Sequence, residues 1–313
     1  MTRILVTGAS GMLGSNLVLQ AQRAGLTVIA SSLSRVGDQE GITWVQANLT
    51  DPRAAGELIK VAAPDWVVNC AAATDVDDCE KNAQWAFSTN RDIAHGLAAE
   101  AKERGLRMIH ISTDAVFSGE NGPNSENDLA EPVNIYGESK LAGEAMVAST
   151  YPEATIVRTN FYGWSPAGRV SLAEWFLAKL QNGDRTPGFK DVRVNPLLVN
   201  DLADHLFDLL STNVGGVLHI AARDCISKYE FGLKVARVFG LDDSVIEPVS
   251  AAKADLIAKR PKHLCLAFDK VERDLDITMQ TVDEGLQRMA ELDQSGYRMQ
   301  VARLLSESRK VPG

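Results

Sequence analysis

Tyr136 and Lys140 stand one helical turn apart, and among the residues of this 313-residue chain they carry the clearest chemistry. At that spacing both side chains share one helix face. A phenol has a reference pKa of about 10, and a fixed positive charge a few ångströms away favours its phenolate. Tyr136 is therefore a candidate proton donor or acceptor, with Lys140 as the charge beside it. The apolar run Met108-Ile109-His110-Ile111 ends in Ser112-Thr113-Asp114. A hydroxyl there, Thr113 or its neighbour Ser112, could hold a carbonyl or alcohol oxygen against the phenol. Tyr-x-x-x-Lys recurs by chance, so its weight rests on the elements around it.

Arg3 to Val6 reads as a short buried strand that runs at once into Thr7-Gly8-Ala9-Ser10-Gly11-Met12-Leu13-Gly14 and then into a helical pattern, Leu17, Val18, Ala21, Ala24. Glycines let a backbone turn tightly and approach a pyrophosphate, whose charge meets amide hydrogens at the helix start. Gly8, Ser10, Gly11, Met12, Leu13 and Gly14 are thus candidate cofactor-binding residues. Leu26 to Ala30 is a second strand and Ile42 to Val45 a third. Thr50-Asp51-Pro52 reads as a helix start, with proline at the first helical position. Trp66 to Ala73 is a fourth strand whose small residues Ala71, Ala72 and Ala73 leave room for a cofactor, and Asn90 opens a helix reaching Arg104. Strands alternating with helices predict an α/β, Rossmann-type fold with a doubly wound parallel sheet.

From Gly119 to Asn134 the chain reads as a long loop, which between Thr113 and Tyr136 suggests a lid or substrate wall. After Thr159 the alternation loosens. Helices are expected over Ser171–Asn182, Asp201–Leu210, from Ser227 through Phe239, and from a capping box at Thr281 towards Leu305, with a strand at Val217–Ala221. The expected division is a dinucleotide-binding domain, 1–160 with 192–222, and a smaller, mostly helical substrate domain, 161–191 with 223–313.

A formal net charge of −9, with 45% hydrophobic and 23% charged residues, describes a globular chain without a basic field. Nucleic acid and membrane are therefore not expected partners. Cys70, Cys79, Cys225 and Cys265 show no metal-ligand spacing and read as buried thiols in a reducing cytoplasm, with no metal expected. His219 reads as a satisfied strand-end histidine, Trp164 and Trp175 as core, and the cluster Asp75, Asp77, Asp78, Glu80 as a solvated acidic turn.

Gly8-x-x-Gly11-x-x-Gly14 together with Tyr136-x-x-x-Lys140 resembles the extended short-chain dehydrogenase/reductase family. The resemblance implies that Asn48, with Leu49 after it, meets the adenine where the family commonly has an aspartate. It also implies that Asn69 to Ala72 matches a cofactor-lining Asn-x-Ala-Ala pattern, and that Asn90 is a structural asparagine near the cofactor ribose. At the end of the second strand Ser31-Ser32-Leu33-Ser34-Arg35 offers no carboxylate for ribose hydroxyls. Ser31 and Arg35 suit a 2′-phosphate, so NADPH is the expected cofactor, with NADH left open.

Ile111-Ser-Thr-Asp-Ala-Val-Phe-Ser-Gly119 and Glu131-Pro-Val-Asn-Ile-Tyr-Gly-Glu-Ser-Lys-Leu-Ala-Gly-Glu144 narrow the resemblance to the dTDP-4-dehydrorhamnose reductase branch. Asn195-Pro196, Ser227-Lys-Tyr-Glu-Phe231 and Arg260-Pro261 extend it. Two positions depart: Ala115 stands where the branch usually has tyrosine, and Arg158-Thr-Asn-Phe-Tyr-Gly163 is closer to the family's sugar epimerases. The resemblance implies reduction of the C4 ketone of a nucleotide-linked 4-keto-6-deoxy sugar, as in dTDP-rhamnose biosynthesis. Tyr136 would give the proton, Lys140 would lower the phenol pKa and hold the nicotinamide ribose, and Thr113 would bind the carbonyl oxygen. The expected partner is the small-molecule nucleotide sugar, with homodimerisation left open. A nucleotide-sugar epimerase or dehydratase, and a non-catalytic, cofactor-binding regulatory subunit, are the alternatives.

Overall fold

The computed structural model describes residues 2–34, 36–37, 39–166, 170–253 and 256–305. Its centre is built from short apolar runs: β1 (Arg3–Thr7), β2 (Thr27–Ser32), β3 (Ile42–Gln46), β4 (Trp66–Asn69), β5 (Arg107–Ile111) and β6 (Thr155–Thr159). Small ladders follow, formed by β7 (Phe161–Tyr162), β8 (Thr186–Phe189), β9 (Arg193–Val194) and β10 (Leu197–Leu198), then by β12 (Ile226–Ser227) and β13 (Ile246–Val249) beyond β11 (Gly216–Ile220). β11, β6, β5, β4, β1, β2 and β3, in that order, make one seven-stranded parallel sheet. The chain winds outward from β1 in one direction, then returns to β4 and winds in the other. This is the doubly wound order, and its switch point lies between β1 and β4.

Alternation along each strand feeds two cores. Ile4, Val6, Val28, Ala30, Val68 and Ile109 face one side, where α1 (Met12–Arg23) packs, and Leu5, Ile29, Val67, Met108 and Ile156 face the other, against α2 (Ala54–Ala62). α3 (Val76–Lys81) and α4 (Ala83–Phe87) lead through a π turn, Ser88–Asp92, into α5 (Ile93–Glu103), which joins the second core. α6 (Ile135–Thr150) carries Tyr136 and Lys140, and α7 (Leu172–Gln181), α8 (Val199–Leu210) and α9 (Lys228–Phe239) follow. α10 (Asp269–Leu275), α11 (Val282–Gln294) and α12 (Tyr297–Arg303) end the described chain. Ser171, Ser227 and Thr281 each close a reciprocal capping box, so these three helix starts fall where the sequence places them. Among the described residues no helix is long and apolar enough to cross a membrane.

Several expectations are corrected. β4 ends at Asn69, so Ala71 to Ala73 lie beyond the strand. The helix expected at Pro52 starts at Ala54, because Asp51 turns back to accept from the amide of Arg53 at 3.0 Å. Asn90 sits inside the π turn, not at a helix start. The helix from Thr281 breaks at Gly296, whose φ is 79°. β6, which the sequence pattern left unmarked, is buried throughout.

The Gly119–Asn134 loop is pinned, not free. The Gly119 carbonyl accepts from the amide of His263 at 3.1 Å, Asn124 N donates to the carbonyl of Cys265 at 2.9 Å, and Glu126 Oε1 accepts from His219 N at 2.9 Å. Cys225 and Cys265 form a disulfide across a separation of 40 residues, which corrects the reading of four thiols; Cys70 and Cys79 are free.

Candidate active site

The switch point opens into a cavity of about 700 Å³ bounded by the turn after β1, the ends of β2, β4 and β5, and the first turns of α6. At Gly8, φ is 62°, and a Cβ there would lie 2.6 Å from the backbone of Cys70 and Ala71; a Cβ on Gly14 would lie 2.4 Å from the Gly8 carbonyl oxygen. Only glycine permits that approach of turn to strand and helix. No side chain caps the start of α1. Its first amides are therefore directed, with the positive end of the helix dipole, into the cavity that Met12, Leu13 and Gly14 line. The Ser31 hydroxyl is buried there without a hydrogen-bond partner among the described residues. These features fit a dinucleotide: a glycine cradle, free amides for its pyrophosphate and no carboxylate at the end of β2.

The reacting end is held by α6 and β5. Asn134 caps α6 by accepting from Gly137 N at 2.9 Å, and its amide nitrogen donates to the Lys259 carbonyl at 2.8 Å. One turn on, Lys140 Nζ donates to the carbonyl of Ile111 at 2.6 Å. Burial pulls the Lys140 ammonium down to about 8, against the opposing charge of Glu144. Burial pushes the Tyr136 phenol up to about 12, while a hydrogen bond with Thr113 opposes the shift and the Asp114 charge adds to it. The expectation that Lys140 lowers this phenol is therefore not met, since the ammonium is turned to the Ile111 carbonyl. Thr113 Oγ1 donates to Asp114 Oδ1 at 3.1 Å, and Asp114 Oδ2 accepts from Asn160 Nδ2 at 2.6 Å. Burial raises Asp114 to about 6, with Lys228 among the groups pulling it back.

Residues 1–295 match the family model described as the RmlD substrate binding domain. The chain belongs to the RmlD family. By that membership it is an oxidoreductase of the extended short-chain type. A relative from Haloferax volcanii named "Probable low-salt glycan biosynthesis reductase Agl14" is 35% identical over 285 residues, covering 90% of this chain and 95% of that one. The dTDP-4-dehydrorhamnose reductase of Mycobacterium tuberculosis is 35% identical over 272 residues, covering 85% of this chain and 84% of that one. Among solved structures, the Bacillus anthracis dTDP-4-dehydrorhamnose reductase in complex with NADP superposes with a TM-score of 0.83 at 25% identity, over 93% of this chain and 99% of that chain.

Within this RmlD-type cavity the structure gathers Gly8, Ser10, Gly11, Met12, Leu13, Gly14, Ser31, Asn48, Leu49, Ala71, Ala72, Thr113, Tyr136 and Lys140. Ala73 and Asn90 stand behind the wall. Asn90 Oδ1 accepts from Ala73 N at 2.8 Å, and Asn90 Nδ2 donates to the Ala73 carbonyl at 3.1 Å and to Ser139 Oγ at 2.9 Å, so Asn90 fixes α6 against the chain leaving β4. Arg35 lies outside the described residues.

The Gly119–Asn134 loop contributes only Asn134 to the lining, which corrects its expected role as lid or wall. His219 is buried edge-on to Phe117, but neither ring nitrogen has a hydrogen-bond partner among the described residues, which corrects its reading as satisfied; Trp164 Nε1 donates to the Met289 carbonyl in the core, and Trp175, partly buried, packs on Phe176. Of the acidic cluster, Asp77 has a site-directed partner: its Oδ1 accepts from Arg260 Nη2 at 2.9 Å and from Ala258 N at 3.0 Å. Arg260 and Lys228 line the cavity, and sequence reasoning did not name either as a site residue. Both sit in segments that matched the family, but nothing local to a lysine after a cap or an Arg-Pro pair says which cavity it enters.

Proposed function

We propose that this RmlD-family protein reduces the C4 ketone of a nucleotide-linked 4-keto-6-deoxy sugar with NADPH as reductant. The observation that carries the reading is the convergence of Thr113, Tyr136 and Lys140 on one cavity with the glycine cradle and free helix start of α1. Gly8 to Gly14, Ser31, Ala71 and Ala72 would hold NADPH, which would supply the hydride. Thr113 would hold the ketone oxygen and Tyr136 would give it a proton; burial, which pushes the phenol up to about 12, keeps it protonated at neutral pH. Lys140 would hold the nicotinamide ribose, and its ammonium would offset the phenolate charge left on Tyr136. Arg260 and Lys228 offer cations for the diphosphate of the sugar nucleotide. Residues 161–191 with 223–313 form the substrate side, and we assign the protein to the cytoplasm on the same reading.

Elimination of water from a nucleotide hexose would need a further acid and base beyond Asp114. Ala115, buried beside it, supplies neither. The segment that looked epimerase-like has a structural explanation: Arg158 is spent on a buried ion pair with Glu144. Incubation with a nucleotide 4-keto-6-deoxy sugar should consume NADPH in proportion to sugar reduced. A nucleotide hexose without added reductant should give no 4-keto-6-deoxy product, and its catalytic formation would overturn the assignment. NADPH binding with inertness in both assays would favour a regulatory subunit.

A further inference from the structure

The Cys225–Cys265 disulfide joins two segments that both reach the cavity. Cys225 lies just ahead of Ser227 and Lys228, at the start of α9, while Cys265 follows the stretch that supplies Arg260, Pro261 and Leu264 to the wall. His263 Nε2 lies 3.4 Å from Cys225 Sγ. The three ligand-type atoms of Cys225, His263 and Cys265 fall within 4.8 Å of one another. A sulfur–sulfur bond occupies both sulfurs, so this group is a disulfide with an imidazole beside it and not an open metal site. Cys265 is 0% exposed, whereas Cys225 and His263 are half-buried, so an external thiol reaches Cys225 first.

We propose that Cys225–Cys265 is a thiol-exchange site whose state sets how firmly the sugar-nucleotide wall of the cavity is held, with a small thiol or dithiol as its reductant. The reductant's thiolate attacks Cys225 Sγ, the disulfide breaks, and Cys265 leaves as a thiolate that takes a proton from solvent. A second thiol attacks the reductant's own sulfur in the mixed disulfide. The oxidised reductant departs, and Cys225 leaves as a thiolate that takes the proton released by the second thiol, passed through the His263 imidazole beside it. Backbone bonds keep the segment in place after reduction: Arg193 N donates to the Lys262 carbonyl at 2.7 Å and Leu264 N to the Arg193 carbonyl at 2.9 Å. The effect is therefore a loosening of Arg260, Leu264 and Lys228 and not an unfolding. Residues of the glycine cradle lie on the other side of the cavity and are not tied to either cysteine.

The test is made on the full chain across a series of reduced and oxidised dithiothreitol. Free thiols are trapped with iodoacetamide and located by peptide mass; this arm does not depend on the reductase reading. Cys225 and Cys265 should become labelled together as the buffer turns reducing, and His263→Gln should slow that labelling. The kinetic arm rests on the proposed function. Reduction should raise the KM for the nucleotide sugar by about three- to tenfold, in the range of ordinary coupling between neighbouring sites, with NADPH affinity and kcat little changed. The Cys225→Ser/Cys265→Ser variant should show the reduced-state KM in every buffer. If the enzyme does not turn over, calorimetric binding of the nucleotide sugar replaces KM. Labelling of both cysteines in fully oxidised buffer, or one affinity for the sugar nucleotide in both states, would overturn the proposal.

Discussion

Lys140 Nζ donates to the carbonyl of Ile111 over 2.6 Å, and this bond fastens the helix of Tyr136 to the end of β5, two residues before Thr113. The proton donor and the hydroxyl that positions its target are thereby set by one tie between α6 and β5. Tyr136→Phe keeps that tie, the helix and the cavity wall, and removes only the phenolic proton. kcat should fall by about 10²- to 10⁴-fold, the usual worth of a positioned general acid. NADPH affinity, measured by fluorescence titration, should stay nearly constant. A variant with near wild-type turnover on a 4-keto sugar would take Tyr136 out of the mechanism.

The end of β2 decides the cofactor. Ser31 and Ser32 are buried and uncharged, and Ser32 Oγ donates to the Ser34 carbonyl at 2.6 Å. Nothing there repels a 2′-phosphate, so NADPH should bind more tightly than NADH. Ser32→Asp places a carboxylate where NAD sites carry one and should lower NADPH affinity more than about tenfold while sparing NADH. Equal or better binding of NADH by the unaltered protein would sink this assignment.

Local spacing made much of this site legible. Gly8 to Gly14 and Tyr136 to Lys140 each act within a short stretch of chain, so residue type and interval announce them. Lys228 and Arg260 are different, because they enter the cavity only after α9 and the segment held by Asp77 fold over the sheet edge. Asn90 was found as a residue but misplaced in its helix, since a π turn leaves no periodic mark in so short a stretch. The disulfide was missed for a similar reason. Cys225 and Cys265 are separated by 40 residues, and cysteine intervals speak only of close neighbours in sequence.

Asp114 gives a pH signature to stability. It is 3% exposed, and burial lifts its carboxyl from 3.8 to about 6. With the folded pKa above the unfolded one, the native state holds the proton more tightly, so stability falls as pH rises from about 4 to about 6 and then levels off. Asp114→Asn keeps the shape and removes the ionisation. It should be more stable than the wild type at pH 7 by up to about 3 kcal/mol, with the gain shrinking to nothing below about pH 4. Urea unfolding across pH measures this, and a gain that grows towards acid would contradict it.

Two helical turns beyond Tyr136, on the same face, Glu144 closes the site from behind. Its carboxylate accepts from Arg158 Nε at 3.0 and 3.1 Å and from Arg158 Nη2 at 2.7 Å, and Ser112 Oγ donates to it as well. The side chains of Glu144 and Arg158 are 5% and 6% exposed, so neither charge has water to fall back on. Arg158 also lies 5.1 Å from the centre of the Phe117 ring, which holds the guanidinium where it is. Glu144→Gln therefore leaves a buried cation without its counter-charge, and should cost about 3–5 kcal/mol in urea unfolding. Glu144→Gln combined with Arg158→Met removes both charges and should recover most of that loss. The double variant also separates stability from catalysis. Ser112 loses its carboxylate in both variants and directly precedes Thr113, so kcat should remain depressed after stability is restored, with KM less affected. A single variant that loses under about 1 kcal/mol would show that Arg158 finds another partner and that the pair does not organise the floor of the site.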